Sequence, residues 1–483
     1  MKKRAEKDVL GKIDVDENAY YGSFTQRARE NFQLSGIKAD SEFIKSLAMI
    51  KKAAAMANSS LEVLDRNKAN AIIKAADEVI ANKFSDNFVL DVFQAGAGTP
   101  FNMNMNEVIA NRATELLGGK KGQYLVHPNN DVNMAQSSND VIPTAVRLAS
   151  LFLLKKLMVE IKNFENSLRK KSREFEDILK TGRTHFEDAV PITLGQEFGA
   201  WADSIEKNIV RIKNAEKEIL ELGIGGTAIG TGINTHPEFK DLVIENLKKI
   251  ANIDVYKAKN SIETTQSMDC FVSLSNALRI LAIDLFRIAN NLSILNSGPK
   301  AGIGEVILPE VEPGSSIMPG KINPSIPEAV IMCCYQAFGN DAAISNAAQY
   351  SILELNVMTP VIAHNLFQSE KLLANALKMF REKCIDGIKA NEERCLGLLN
   401  SSFAFATALN PYLGYDVVSK IVHDALKKNK TLKEIILENK IINESDLNCI
   451  LNTKNMTKPG IINKKLAEKI RKSENFKKFV KKM

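Results

Sequence analysis

The run SIETTQSMDCFVSLSNALRILAIDLFRIANNLSILNS, Ser261–Ser297, indicates the fold class, because its 37 residues include neither glycine nor proline. Its large aliphatic residues recur mostly at steps of three and four, the period of an α-helix: Leu274, Leu278, Leu281, Ile283, Leu285 and Ile288. As a single helix the run would be roughly 55 Å long, at about 1.5 Å per residue. A helix of that length cannot bury its apolar face in a small globule, so we expect it to pack against other long helices.

Three further runs are almost free of glycine and proline, so we predict an all-α fold. They are Arg147–Lys180, Val361–Asp386 and Glu197–Leu222, the last interrupted by Gly199. Several runs carry apolar residues on more than one side, which predicts homo-oligomerisation through these helices. We expect three domains: mixed helix and loop over residues 1–140, a long-helix bundle over 141–390, and a small helical domain with a basic tail over 391–483.

The charge distribution argues against a nucleic-acid-binding core. The chain has 64 Lys and Arg against 57 Asp and Glu, but nine of the basic and two of the acidic residues lie in 464–483, so the rest is neutral. We interpret the tail as a solvated end. The six cysteines form no CxxC pair, and no segment is apolar enough for a signal peptide or a membrane span. We therefore expect a cytoplasmic protein that binds neither nucleic acid nor membrane.

A glycine cluster, Gly223–Ala228, fits the GxGxxA pattern of dinucleotide-binding proteins. That pattern requires a strand before it, whereas the preceding KNAEKEILEL is typical of a helix. We interpret the cluster as the bend that ends a long helix.

Four polar segments lie beside the helical runs: Gly98-Thr99, Gln136–Asn139, Gly182–His185 and GSSIMPGKINPSIPE, Gly314–Glu328. None of them has the spacing of metal ligands. Together they supply hydrogen-bond donors with little charge, from Thr99, Ser137, Ser138, Asn139, Thr184, Ser315, Lys321 and Asn323. Taken singly, each segment is also typical of turns and helix caps. As a set they suit a small dicarboxylate, to which helix N-termini would add backbone N–H groups.

The segment GSSIMPGKINPSIPE resembles the signature GSSxMPxKxNPxxxE of the fumarase/aspartase superfamily. The resemblance extends from about Glu6 to about Gly460 and includes AYYG, KKAAAMAN, NMNMNEVIANRA, QSSND, GRTHFEDAVPITLGQE, GTAIGTG and ELNV. It implies an α-helical homotetramer of three-domain subunits around a core of twenty long helices. It also implies that each active site combines segments from three subunits.

The resemblance further implies a role for each polar residue. Ser315 would be the base that removes a proton from carbon, while Lys321 and Asn323 stabilise the aci-carboxylate that forms. His185 and Glu328 match the His–Glu pair that handles the proton of the group added or lost. The substrate would be bound by Thr99, Ser137, Ser138, Asn139, Thr184 and Ser316. No metal and no organic cofactor is implied.

The sequence leaves open whether the group that is added or lost is water or ammonia. We expect water, as in class II fumarases, because Ser137-Ser138-Asn139 matches fumarases where aspartases usually have Ser-Thr-Asn. His127, Asn129 and Asn130 resemble a second anion site of fumarases, although an aspartate is usual in place of Asn130. Ammonia, as in aspartases, is favoured by EKDVLG, AYYG, QAGAGT, DAVP, TTQSMDC, NVMTPV and MTKPG. Pro100 matches neither family.

A non-catalytic role is the remaining alternative, because relatives in this superfamily serve as lens structural proteins. Loss of a catalytic residue would favour it, but the sequence retains all five: Ser315, Lys321, Asn323, His185 and Glu328.

Overall fold

The protein is described by a computed structural model that covers residues 2–452 and 456–483. The chain divides into two compact units. The first comprises Met1–Lys162, Lys207–Leu285 and Met332–Leu377, and the second comprises Asn163–Glu206, Phe286–Ile331 and Lys378–Met483. The division into three domains that the sequence suggests remains a prediction.

The described residues are mainly helical, which confirms the all-α prediction. In chain order the helices are α1 (Ser23–Asn31), α2 (Ser41–Ser60), α3 (Arg66–Ile80), α4 (Thr99–Leu116), α5 (Ser138–Glu174), α6 (Leu194–Ile219), α7 (Phe239–Ala251), α8 (Ser261–Gln266), α9 (Asp269–Leu295), α10 (Ser325–Ala348), α11 (Thr359–Lys383), α12 (Glu392–Ser401), α13 (Ala406–Leu413), α14 (Tyr415–Lys428), α15 (Leu432–Glu438), α16 (Glu444–Ile450), α17 (Lys464–Lys472) and α18 (Glu474–Lys481).

Short strands pair two by two. They are β1 (Lys3–Asp8) with β2 (Gly11–Asp16), β3 (Leu179–Thr184) with β4 (Glu187–Thr193), β5 (Glu221–Leu222) with β6 (Tyr256–Lys257), β7 (Val306–Ile307) with β10 (Lys389–Ala390), and β8 (Ser351–Ile352) with β9 (Leu355–Asn356). All pairs are antiparallel except β5 with β6, which is parallel.

In the first unit, buried polar contacts join the long helices to one another. Ser275 of α9 donates to Asp341 of α10 at 2.7 Å, and Asn340 of α10 donates to Ser369 of α11 at 3.0 Å. Arg147 of α5 donates to a backbone carbonyl of α6. These specific pairs fix the register of the helices, since a slipped helix would leave buried polar groups unpaired.

The N-terminal hairpin β1–β2 and helix α1 are fixed by two buried carboxylates. Glu107 of α4 accepts the N–H groups of Gly22, Phe24 and Thr25, so it occupies the N-terminus of α1. Glu6 of β1 accepts the N–H of Ser23 at 2.9 Å.

The run Ser261–Ser297 forms two helices, so the prediction of one continuous helix is wrong. Helix α8 ends at Gln266, and Ser267 has an extended backbone with φ −87° and ψ 135°. The hydroxyl of Ser267 accepts the N–H of Asp269 at 3.3 Å, so it caps α9. Similarly, the run Arg147–Lys180 leaves the helical conformation after Glu174 and continues into β3.

In the second unit, the C-terminal helices share one apolar core. The tail forms the amphipathic helices α17 and α18, whose buried residues Leu466, Ile470, Phe476 and Phe479 belong to that core. The tail is therefore folded onto the unit by its apolar face, and most of its lysines are exposed. Within 2–452 and 456–483, no helix combines the length and the hydropathy that a membrane crossing requires.

Candidate functional site

The segment Gly314–Pro324 is irregular, as its sequence predicts, and α10 begins directly after it at Ser325. The hydroxyl oxygen of Ser315 accepts the N–H of Met318 at 3.0 Å and that of Ile317 at 3.3 Å. Backbone N–H groups that point at this oxygen stabilise negative charge on it, so they favour its deprotonated form. Such stabilisation is what a serine needs in order to act as a base.

Two side chains on the same loop bind each other. Lys321 donates to the side-chain oxygen of Asn323 at 2.6 Å, and the amide nitrogen of Asn323 donates to the carbonyl of Gly314 at 2.6 Å. A side chain at position 314 would collide with the backbone of Lys321 and Asn323, so the loop requires glycine there. The loop therefore holds Ser315, Lys321 and Asn323 together, and Ser316 lies exposed beside them.

Thr184 and His185 lie at the tip of the hairpin β3–β4. Thr184 is the last residue of β3, and the turn residues His185 and Phe186 have positive φ values of 56° and 64°. All three are exposed. The hairpin borders a cleft of about 900 Å³ that is also lined by Asn291 and by residues 456–459.

A buried ionic cluster anchors the base of this hairpin. Arg183 forms a two-point contact with Glu305, at 2.9 and 3.0 Å, and Lys180 lies 3.1 Å from the same carboxylate. Lys180 also contacts Glu197 at 2.9 Å. Glu305 is fully buried, and with Glu197 the cluster balances two cations against two carboxylates.

Glu328 lies exposed in the first turn of α10. Among the residues that the structure describes, no hydrogen bond joins it to His185, nor does one join the loop to the hairpin. The resemblance assigns these segments to active sites that are shared between subunits. The His185–Glu328 pair therefore remains a prediction about an oligomer.

In the first unit, two helix N-termini approach each other. Thr99 begins α4, and Ser138 begins α5. Gly98 precedes α4 with φ +70°, and a Cβ there would lie 3.1 Å from Ile142 of α5. Ser138 accepts a hydrogen bond from Asn102 of α4 at 3.1 Å. The positive ends of two helix dipoles thus lie close together, an arrangement that favours a bound anion.

The glycine cluster contacts the same place. Asp140 accepts the N–H groups of Gly225 and Thr227 at 3.0 and 2.9 Å and that of Ser137 at 2.9 Å. Asn139 donates to the carbonyl of Ala228 at 2.7 Å. Helix α6 ends at Ile219, and the short strand β5 lies between it and the cluster, so the cluster does not itself end the helix as we expected. The next helix, α7, begins only at Phe239, whereas the dinucleotide pattern requires a helix that opens at the glycines.

Sequence reasoning missed two buried charges beneath these helix N-termini. Burial raises the pKa of Asp140 to about 6, although its backbone N–H partners oppose this shift. Burial lowers the pKa of Lys51 to about 7, while the carboxylate of Asp140 opposes that shift. Lys51 lies on α2 and donates to Asn102, Asn133 and Gln136.

The second anion site predicted for His127, Asn129 and Asn130 has a local hydrogen-bonding arrangement of its own. The ring nitrogen Nδ1 of His127 accepts the N–H groups of both asparagines at 3.1 Å. Those two N–H groups are therefore already engaged within the chain. The site remains a prediction, in which the exposed side chains of Asn129 and Asn130 would have to bind the anion.

The predicted residues thus form two groups, each described within its own unit. The first group lies in the first unit, at the neighbouring N-termini of α4 and α5, and comprises Thr99, Ser137, Ser138 and Asn139. The second unit holds the hairpin with Thr184 and His185, the loop with Ser315, and Glu328. Within 2–452 and 456–483, no group of three or more His, Cys, Asp or Glu side chains is arranged to hold a metal ion.

Comparison with known proteins identifies the relatives of the chain. Residues 11–339 match the family described as Lyase, and residues 405–458 match the family described as Fumarase C C-terminus. An aspartate ammonia-lyase of Bacillus sp is 45% identical over 463 residues, which are 96% of this chain and 99% of that protein. The aspartate ammonia-lyase of Bacillus subtilis (strain 168) is 42% identical over 467 residues, which are 96% of this chain and 98% of that protein.

Two solved structures have a similar fold. A class II fumarase from Schistosoma mansoni superposes with a TM-score of 0.93 at 35% identity, covering 95% of this chain and 100% of that one. A Brucella melitensis protein described as fumarate lyase:delta crystallin superposes with a TM-score of 0.92 at 44% identity and with the same coverage.

Proposed function

The chain belongs to the fumarase/aspartase superfamily of lyases, and on that premise we propose that it is an aspartate ammonia-lyase. The reaction would remove ammonia from L-aspartate and leave fumarate, and it would be reversible. The observation that carries this proposal is the 42–45% identity, over nearly the whole chain, to proteins named aspartate ammonia-lyase. This reading is the alternative, rather than the first expectation, of the sequence analysis.

In the proposed reaction Ser315 removes a proton from the carbon next to one carboxylate. The C–H electron pair first becomes charge on that carboxylate and then forms the C=C bond. As that bond forms, the C–N bond breaks, and its electron pair leaves with the nitrogen as ammonia. The N–H groups of Ile317 and Met318, which already contact the Ser315 oxygen, support its role as the base.

The carboxylate that receives charge needs preorganised donors, which are expected to be the largest catalytic contribution. Lys321 and Asn323 are proposed for that role, since their mutual hydrogen bond fixes both side chains on the loop. The other carboxylate of the substrate is proposed to lie at the N-termini of α4 and α5, against Thr99, Ser137, Ser138 and Asn139. Thr184 and Ser316 are proposed as additional substrate contacts.

His185 is proposed to exchange a proton with the departing amine, and Glu328 of another subunit to orient its ring. The resemblance implies a homotetramer with sites shared between three subunits. Large apolar side chains on the long helices support such an assembly, because they are 49% exposed or more in the single chain: Val210 (57%), Ile283 (49%), Met332 (69%) and Tyr335 (59%). A cytoplasmic location likewise remains a prediction.

Class II fumarase is the second candidate, and Ser138 is the observation that favours it. Fumarases have serine at this position where aspartases usually have threonine, and the Schistosoma mansoni enzyme has the same fold. A hydroxyl leaving group can donate and accept hydrogen bonds, whereas an ammonium group only donates. The deciding assay supplies L-aspartate and L-malate separately and follows the ultraviolet absorbance of fumarate.

A further inference from the structure

Lys51 lies fully buried in the middle of α2, where its ammonium group meets three amide oxygens. Its Nζ lies 2.7 Å from Oδ1 of Asn102, 2.9 Å from Oδ1 of Asn133 and 2.9 Å from Oε1 of Gln136. An ammonium group has three N–H donors, so three acceptors satisfy it completely. The neighbouring Lys52 instead pairs with Asp77 near the surface.

The lysine determines which way the amide of Asn102 faces. Only the protonated amine can donate to all three oxygens, and in that form it cannot accept a hydrogen bond, so the oxygen of Asn102 points to Lys51 and its NH₂ points away. That NH₂ group lies 3.1 Å from the hydroxyl oxygen of Ser138 and 3.2 Å from Oδ1 of Asn133. The hydroxyl of Ser138 is therefore an acceptor toward Asn102, and its own proton is left for another acceptor.

The same lysine stiffens the turn that leads into α5. Asn133 donates to the carbonyl of Gln136 at 3.2 Å, and the amide nitrogen of Gln136 donates to the carbonyls of Val132 and Met134 at 3.1 Å. Both side-chain oxygens accept from Lys51, so one cation fixes the orientation of both amides. Lys51 thus supports the turn before α5, while Asp140, in the first turn of α5, ties the helix to the glycine cluster.

From this arrangement we propose that Lys51 is a positioning residue for the dicarboxylate site. It acts through Asn102 to hold the hydroxyl of Ser138 as a hydrogen-bond donor toward a substrate carboxylate. A carboxylate only accepts hydrogen bonds, so it binds a hydroxyl that offers its proton and is repelled by one that offers lone pairs. Without the lysine, Asn102 is free to rotate its amide and take up the proton of Ser138. The ligand identity rests on the proposed function, but the mechanism is independent of whether water or ammonia is lost.

Succinate is the probe that tests this proposal, because it carries both carboxylates and cannot react. Its dissociation constant is measured by calorimetry for the wild type and for Lys51→Met, which keeps an unbranched chain and removes all three donors. We expect binding at least about tenfold weaker, equivalent to about 1.4 kcal/mol, with KM rising more than kcat falls. Lys52→Met is the matched control on the same helix, and it should bind succinate within about twofold of the wild type, as expected for a surface ion pair.

Asn102→Leu provides a second, uncharged variant in case Lys51→Met does not fold. It disconnects Ser138 from the lysine but leaves Lys51 bonded to Asn133 and Gln136, and we expect a similar loss of affinity. In a double-mutant cycle, Lys51→Met should weaken succinate binding by less than about twofold once Ser138 is alanine, since residues that act through one another are not additive.

Several outcomes would overturn the proposal. One is a folded Lys51→Met or Asn102→Leu variant that binds succinate as the wild type does. Another is a lower melting temperature and fewer competent sites at an unchanged dissociation constant, which would make the role purely structural. Additive losses with Ser138→Ala, or a wild type that does not bind succinate, would also exclude it. A wild type that binds succinate but forms no fumarate would instead refute the proposed reaction alone.

Discussion

The guanidinium group of Arg183 and the buried carboxylate of Glu305 form a two-point ion pair, with N–O distances of 2.9 and 3.0 Å. Lys180 adds a third contact to the same carboxylate at 3.1 Å. Glu305 lies directly before β7, whereas Arg183 is next to Thr184 and two residues from His185. The position of the hairpin that carries these two candidate site residues therefore depends on one buried carboxylate.

Replacing Glu305 by glutamine should destabilise the protein strongly. The substitution removes the ion-pair partner of Arg183 and leaves Lys180 with Glu197 alone, and breaking a buried pair in this way costs about 3–5 kcal/mol. A thermal melt should show a lower midpoint for Glu305→Gln. Glu310→Gln is the matched control, because Glu310 is exposed five residues further on, and its midpoint should stay near that of the wild type. Equal midpoints for the two variants would refute the anchoring role.

Ser315→Ala should abolish turnover while preserving the fold and succinate binding. Loss of a general base usually lowers kcat by about 10²–10⁴-fold, and alanine cannot replace the hydroxyl oxygen. Ser316→Ala is the informative neighbour, since it removes a proposed substrate contact and should raise KM more than it lowers kcat. The measurement is steady-state kinetics of both variants beside the wild type. An active Ser315→Ala would exclude this serine as the base.

Gly230→Ala should displace the loop that contacts Asn139. Gly230 has φ +93°, and a Cβ there would overlap the backbone of Ser261 and Ile262. Because neither backbone can move easily, we expect a loss of stability above about 1 kcal/mol and weaker succinate binding. Gly397→Ala is the control: it lies in α12 with open space around it, so alanine should be neutral or slightly stabilising. A Gly230→Ala protein with the melting temperature and succinate affinity of the wild type would show that this loop does not support Asn139.

The cysteines should differ sharply in their reaction with iodoacetamide. Burial raises the pKa of Cys270 to about 11 and the pKa values of Cys384 and Cys395 to about 12. These three thiols stay protonated near neutral pH and are shielded as well, whereas Cys449 is exposed. Mass spectrometry of the native protein should therefore find rapid labelling at Cys449 and none at the three buried thiols. Labelling of Cys395 as fast as that of Cys449 would show that the second unit opens readily.

Much of the fold is predictable from the sequence, because long glycine-free runs with helical periodicity allow few alternatives. The superfamily predicted from GSSIMPGKINPSIPE is confirmed by the relatives. The break between α8 and α9 was missed because it contains neither glycine nor proline. Its signal was the cap formed by Ser267 on Asp269, which is weak beside the apolar periodicity around it.

The candidate site was only partly predictable. A signature fixes residue types such as Ser315, Lys321 and Asn323, and the structure brings these three onto one loop. Lys51 could not be distinguished from Lys52 in the sequence, because only tertiary packing buries the first fully and leaves the second partly exposed. The strands β3 and β4 were likewise missed, since the hairpin depends on the buried partner Glu305, which is distant in sequence. Such contacts leave no local pattern.

A single assay decides whether this protein releases ammonia or water. Purified protein is supplied with L-aspartate in one cuvette and L-malate in another, and fumarate is followed by its ultraviolet absorbance, with Ser315→Ala as the blank. We predict fumarate from L-aspartate and none from L-malate. Fumarate from L-malate alone would contradict the proposal and identify a fumarate hydratase.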